Sequence, residues 1–229
     1  MSDQFGHNES IDANFQGIFS RMDISPETRI LDIAAGQCLE ALKFASVSNR
    51  TFAVDTQRMP QRLLDIKAKQ ATHWFEYVCG DMHLLPFKSN HFDYVFIANA
   101  VHHSYEIETL LKNAYRVLKK GGKIVIIGEP TAGLFSRPER FNEPNETLYP
   151  YLSYIRSVKA AGFRNVRYYF PPAINMKLST GKYGWKNVNV RLFRILYYFW
   201  KIARYVRHLL IFPAALIYNF QFHCIGKKV

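Results

Sequence analysis

Successive apolar runs, each ending in a polar residue, constrain this chain more than any other feature. Ile30-Leu31-Asp32-Ile33-Ala34-Ala35-Gly36 is an apolar run that enters a turn of small residues. Phe52-Ala53-Val54-Asp55 follows, with an acid about twenty residues past that turn. That is the offset of a ribose-binding carboxylate in a nucleotide-binding βαβ unit. Gly80-Asp81-Met82 comes next, then Phe92-Asp93-Tyr94-Val95-Phe96-Ile97, then Lys119-Lys120-Gly121-Gly122-Lys123 ahead of Ile124-Val125-Ile126-Ile127. Their order places a polar group at the carboxyl end of strand after strand, the edge where open α/β sheets bind ligands.

The runs read as strands at about 28–34, 50–55, 75–79, 92–98 and 123–128. Helical stretches lie between them at 39–46, 61–69 and 107–118. In the last, Ile107, Leu110, Leu111, Ala114, Val117 and Leu118 recur at helical spacing. A helix is expected over 151–161, ended by Gly162, and a sixth strand over 165–170, stopped by Pro171-Pro172. Phe220-Gln221-Phe222-His223-Cys224-Ile225 alternates apolar and polar residues and reads as a final edge strand. The expected fold is α/β: a Rossmann-like, doubly wound, mostly parallel seven-stranded sheet with an antiparallel edge strand and a helical insert before the last strand. The expected organisation is an N-terminal helical flap over 1–27, a core over 28–170, the insert over 171–219 and the last strand of the sheet over 220–229.

The insert carries a second message. On a helix, Leu192, Ile195, Leu196, Phe199, Ile202, Ala203, Val206 and Leu210 share one face, while Arg191, Arg194, Lys201, Arg204 and His208 cluster on another. A basic amphipathic helix of this kind over 191–210 suits a membrane interface; equally, its apolar face suits packing on the domain. The run 209–220 is short for a span and Pro213 interrupts it, so no transmembrane helix is expected. The formal net charge of +12 over 229 residues points to an anionic partner: a membrane surface, a phosphorylated lipid or a nucleic acid. Cys38, Cys79 and Cys224 form no CxxC pair, against a disulfide framework or zinc knuckle. No basic, apolar leader stands at the N-terminus, so a cytoplasmic setting, peripheral to a membrane at most, is expected.

Taken with its turn and strand ends, the chain resembles the class I S-adenosylmethionine-dependent methyltransferases, of the small-molecule and lipid branch. The resemblance covers residues 28–130 and extends more loosely over 150–170. That family's first strand leads into a loop of the form Asp-x-Gly-x-Gly-x-Gly; here the loop is Asp32-Ile33-Ala34-Ala35-Gly36-Gln37-Cys38. Only the middle glycine is kept. Ala34 and Cys38 are small enough for close backbone approach, and strained wherever a positive φ is required.

The resemblance implies S-adenosylmethionine as cofactor and gives roles to its residues. Ala34, Gly36 and Cys38 would form the turn for the amino-acid end, with Asp32 orienting it. Asp55 would hold the ribose hydroxyls, Asp81 and the Met82 backbone the adenine, with His83 in its wall, and Asn99 the methionine portion. Transfer from a sulfonium needs mainly alignment; where the acceptor must lose a proton, His102, His103 and Glu129 are the candidate bases. No sequence spacing suggests a metal.

The resulting expectation is methyl transfer to a hydrophobic, lipid-linked or small-molecule acceptor. An RNA (tRNA) methyltransferase is the alternative that the charge and the abundant Tyr and Phe allow. A nicotinamide-dependent oxidoreductase fits the loop poorly for want of the outer glycines. A non-catalytic cofactor-binding protein rests only on the altered loop.

Overall fold

The computed structural model describes residues 15, 17–69, 74–132, 138–140, 146–168 and 222–229. Seven strands form one sheet: β1 (Arg29–Ile33), β2 (Arg50–Asp55), β3 (Glu76–Cys79), β4 (Phe92–Ala98), β5 (Leu118–Glu129), and, later in the chain, Arg164–Tyr168 and Phe222–Lys227. Three short strands, β6 (Thr131–Ala132), β7 (Glu139–Arg140) and β8 (Thr147–Pro150), form a separate small sheet. Arg164–Tyr168 is therefore β9 and Phe222–Lys227 is β10. The helices are α1 (Leu39–Ala45), α2 (Gln61–Lys69), α3 (Ile107–Val117) and α4 (Tyr151–Ala160).

The large sheet runs β3-β2-β1-β4-β5-β10-β9. The first five strands pair in parallel. β10 is antiparallel to both neighbours. The antiparallel strand expected at the edge thus sits one place in, and β9 is outermost. β5 begins earlier than expected because Lys119 and Lys120 continue its backbone upstream of Gly121 and Gly122. Gly122 is packed so closely that a Cβ there would lie 2.9 Å from the Lys119 carbonyl oxygen.

Ile30, Leu31 and Ile33 of β1, Tyr94, Val95, Phe96 and Ile97 of β4, and Ile124, Val125, Ile126 and Ile127 of β5 are all buried because both sheet faces are covered. Alternate residues go to opposite faces. Leu31, Ile33, Val95, Ile97, Ile124 and Ile126 pack with α3 and α4. Ile30, Tyr94, Phe96, Val125 and Ile127 pack on the other side with Phe15, Ile18, Met22 and Phe44. α3 buries Ile107, Leu110, Leu111, Ala114 and Val117, the stripe read from its spacing.

Where it is described, the N-terminal segment belongs to this second face. Phe15 and Ile18 are each only 2% exposed. The Phe15 ring lies 5.2 Å from Phe44 and 5.7 Å edge-on from Phe96, and Phe44 meets Phe96 at 4.9 Å. The expected insert over 171–219 lies outside the described residues. No helix among the described residues is long and apolar enough to cross a membrane.

The order β2-β1-β4 reverses the direction of winding between β1 and β4. The two connections leaving those strand ends diverge there and open a crevice. Everything described below lies at that point.

The Phe15–Phe44–Phe96 cluster yields a stability prediction. Phe44→Ala should destabilise the fold by about 3–5 kcal/mol, as loss of a fully buried aromatic ring does. Urea unfolding followed by circular dichroism measures this; a loss below about 1 kcal/mol would show that the N-terminal segment does not pack there.

Candidate active site

The cleft has a volume of about 800 Å³ and lies over the ends of β1, β2 and β4, within the roughly 300–1,000 Å³ typical of small-molecule sites. Its floor is the loop after β1. Three residues of that loop take left-handed backbone angles: Ala34 at φ 52°, Gly36 at φ 48° and Cys38 at φ 54°. The glycines missing from the resembling motif are thus missing where the backbone still adopts the conformation that favours glycine.

What holds the loop is visible. Ala35 N–H donates to the Val54 carbonyl at 3.2 Å, and Cys38 N–H donates to the Ala35 carbonyl at 2.6 Å. Gly36 N–H donates to Asp55 Oδ2 at 2.8 Å. A Cβ built on Gly36 would meet nothing within 4 Å, so the backbone here is open to the cleft.

Asp55 ends β2 and binds two backbone groups, Gly36 N–H through Oδ2 and Gln57 N–H through Oδ1 at 2.9 Å. Each carboxylate oxygen has a second lone pair, so Asp55 ties the loop to β2 and can still accept from a ligand. Asp81 is fixed by His83, whose N–H and Nδ1 lie 2.8 and 2.7 Å from Asp81 Oδ1. The His83 backbone N–H, followed by its ring, holds the Asp81 carboxyl below the usual carboxylate range. A carboxylate at Nδ1 calls for a proton there, leaving Nε2 to accept from the Ser104 hydroxyl at 2.7 Å. The exposed Tyr105 ring stacks on His83 at 3.7 Å. Met82 and Asn99 also line the cleft, Asn99 with φ 48°.

Two of the sequence-derived cofactor residues stand behind the cleft rather than in it. Cys38 is fully buried and packs with Ala41, Ala45, Ala53, Leu63 and Phe75. Burial, reinforced by Asp32, pushes its thiol up to about 12. Its backbone shapes the turn while its side chain fills the core. Asp32 is 2% exposed, and burial, with Glu40 next, holds its carboxyl well above the usual range. Its Oδ2 has no partner among the described residues.

The three candidate bases separate sharply. Glu129, at the end of β5, is completely buried. Its Oε1 accepts from Ala100 and Val101 N–H at 2.6 and 2.9 Å, and its Oε2 from His102 N–H at 3.2 Å, with His102 Nδ1 at 3.1 Å. It caps the 3-10 turn Val101–His103 and does not line the cleft. His102 is 3% exposed and turned toward Glu129. His103 alone faces the cleft, with its side chain 47% exposed and Nδ1 at 3.4 Å from Glu146 Oε1.

Glu146 was not legible in the sequence. It lies far along the chain and reaches the cleft only because β8 docks beside the turn. Ser104 was missed too, since only the folded Asp81–His83–Ser104 chain gives it a purpose. The spacing that suggested no metal also concealed a cluster: one ligand atom from each of His102, His103 and Glu146 falls within 4.8 Å of the others.

Residues 31–126 match the methyltransferase domain family. The demethylmenaquinone methyltransferase of Streptomyces avermitilis is 33% identical over 105 residues, covering 46% of this chain and 44% of that protein. A ubiquinone/menaquinone biosynthesis C-methyltransferase of Rhizobium rhizogenes is 30% identical over 126 residues, covering 53% of this chain and 48% of that protein. The chloroplastic 2-methyl-6-phytyl-1,4-hydroquinone methyltransferase of Arabidopsis thaliana is 29% identical over 145 residues, covering 62% of this chain and 42% of that protein. The chain spans about half the length of the curated relatives it matches.

Among solved structures, phosphoethanolamine N-methyltransferase 2 of Haemonchus contortus, in complex with S-adenosyl-L-methionine, aligns with TM-score 0.62 and 20% identity over 96% of this chain and 52% of that one. A SAM-dependent methyltransferase of Aquifex aeolicus aligns with TM-score 0.59 and 15% identity over 93% of this chain and 89% of that one. At these identities the likeness is one of fold.

Two predictions come from the buried carboxylates. Because the folded state raises the Asp32 pKa, the stability this group contributes is whole below its unfolded value of 3.8 and is lost as pH rises through the folded value. Asp32→Asn should therefore be more stable than wild type at pH 7, and the advantage should shrink as pH falls toward 4. Thermal melts across that range test this, and an advantage that grows on acidification would contradict it. Glu129→Ala should strand three buried N–H groups and lose at least about 3 kcal/mol, read by urea unfolding; a neutral result would show that the turn is held otherwise.

Proposed function

We propose that the protein, whose residues 31–126 match the methyltransferase domain family, is an S-adenosylmethionine-dependent methyltransferase acting on a hydrophobic small molecule, a lipid-tailed hydroquinone first of all. The observation that carries the cofactor is the Asp55–Gly36 hydrogen bond, which ties the acidic end of β2 to the open backbone after β1. When bound, S-adenosylmethionine supplies an electrophilic methyl group on a sulfonium. The fit rests on this chain's own groups. The backbone of residues 34–36 would hold the amino-acid end, Asp55 the ribose hydroxyls, Asp81 the adenine amino group with His83 and Tyr105 as its wall, and Asn99 the methionine portion.

His103, with Glu146 beside it, would be the group that meets an oxygen of the acceptor. Alignment of the acceptor against the methyl group is the larger contribution, since the leaving group is good. Support for a hydroquinone-type acceptor comes from the relatives, three of which carry menaquinone, ubiquinone or a phytyl hydroquinone in their names.

The charge of the described cleft lends no support to an RNA acceptor. Its charged lining residues are Glu40, Asp55, Asp81 and Glu146, and no Lys or Arg is among the lining residues described. A cleft for a polynucleotide would present cations to phosphates; this one suits a cationic sulfonium. The basic residues of 191–210 support peripheral contact with an anionic membrane, where such an acceptor would reside.

Asp55→Ala and Asp81→Ala should each weaken S-adenosylmethionine binding by about one to two decades, the loss of a hydrogen-bonding carboxylate, with the fold retained by circular dichroism. Calorimetric titration of the cofactor measures it. Incubation with methyl-tritiated cofactor and fractionated cell extract should place label in the lipid-soluble phenolic pool. Label in RNA, or wild-type affinity in both variants, would overturn this reading.

A further inference from the structure

We propose that His102, His103 and Glu146 form a site for a divalent transition cation, zinc first, at the acceptor end of the cleft. One ligand atom from each residue lies within 4.8 Å of the others. The separation of His103 Nδ1 from Glu146 Oε1, 3.4 Å, is long for a charge-assisted hydrogen bond, for which about 2.7–2.9 Å is usual. It is the separation of two ligands on one tetrahedral ion: bonds of about 2.0–2.1 Å at the tetrahedral angle put their atoms roughly 3.3–3.4 Å apart.

Two further observations point to a ligand. Glu146 is 8% exposed, and its Oε2 is a buried oxygen without a hydrogen-bond partner among the described residues, the state of a carboxylate that an ion would satisfy. Behind His102 stands Glu129, 3.1 Å from Nδ1. A carboxylate on the far nitrogen of a ligating imidazole orients the ring and raises its basicity as a ligand. Two imidazoles and one carboxylate suit zinc and neighbouring first-row ions. Three protein ligands leave a coordination position to be filled from the cleft, where His103 and Glu146 face.

The role of the ion, though not its binding, rests on the methyltransferase reading. It would hold a hydroxyl oxygen of the acceptor and lower the pKa of that hydroxyl, whose proton then leaves to water. His103 and Glu146 would thus meet the acceptor through the ion.

The test uses the full chain, freed of metal by dialysis against a chelator and titrated with Co²⁺ as the spectroscopic stand-in for zinc. Visible d–d absorption should grow to saturation at one equivalent, and added Zn²⁺ should abolish it. His103→Ala and Glu146→Gln should each weaken cobalt binding by about tenfold or more, while His91→Ala leaves it unchanged. Circular dichroism accompanies each variant; the half-exposed His103 side chain carries the test where Glu146→Gln fails to fold. A wild-type chain with no cobalt band at millimolar metal overturns the proposal, as does binding that survives in both variants. Calorimetry with S-adenosylmethionine on the same samples separates the two readings. Cofactor binding without cobalt binding ends the metal site alone. Cobalt binding through these residues without cofactor binding ends the methyltransferase reading and leaves the metal site standing.

Discussion

The buried carboxylate of Glu129 is the interaction on which the functional end of the sheet depends. It sits at the last residue of β5, and its two oxygens gather the N–H groups of Ala100, Val101 and His102 and the His102 ring. Those N–H groups open the 3-10 turn after β4 and have no partners within the turn. A buried charge is tolerable only when fully hydrogen-bonded, and here one group meets that need while fixing two strand ends to each other. Asn99, just before the turn, and His103, within it, inherit their positions from this anchor. Catalytic candidacy and structural duty are therefore divided between neighbours: His102 faces the anchor and His103 faces the cleft.

A second constraint acts at the other side of the cleft. The loop after β1 needs three left-handed residues and supplies only one glycine. Each non-glycine residue in that conformation costs about 1–2 kcal/mol. The offsets are local: the Asp55–Gly36 bond, the Ala35–Val54 bond, and burial of the Cys38 side chain in the α1–β2 core. Cys38 is thus a packing residue in a place where glycine would contribute no side chain at all. The loop keeps the backbone that a nucleotide-type ligand needs and gains core contacts that the glycine version lacks.

The contiguous apolar runs of β1, β4 and β5, broken in β1 only by Asp32, made the sheet legible, because both of its faces are buried. The acids at the strand ends were legible for the opposite reason: no buried strand end keeps a carboxylate without a use for it. The use itself was not. Asp55 and Asp81 both line the cleft, whereas Glu129, read from the same pattern, is consumed by backbone donors that only tertiary structure supplies. The burial of the Cys38 side chain was not legible, because loop spacing places the backbone and says nothing of side-chain direction. Glu146 lies in a stretch without periodicity and reaches His103 through strand docking alone. The position of β10 between β5 and β9 was hidden because an antiparallel strand alternates in the same way whether or not it is outermost.

Charge is distributed unequally in this molecule, and the inequality carries meaning. The chain has 30 Lys and Arg against 18 Asp and Glu, yet the described cleft is lined by acids without a single Lys or Arg. In water at physiological salt, charges farther apart than about 8 Å hardly feel each other, so the basic excess elsewhere does not cancel the local field of Asp55, Asp81, Glu40 and Glu146. A cleft walled by low-dielectric protein concentrates that field. It favours a cationic ligand at its floor. An anionic ligand would meet repulsion in the described cleft, whatever the net charge of the whole chain.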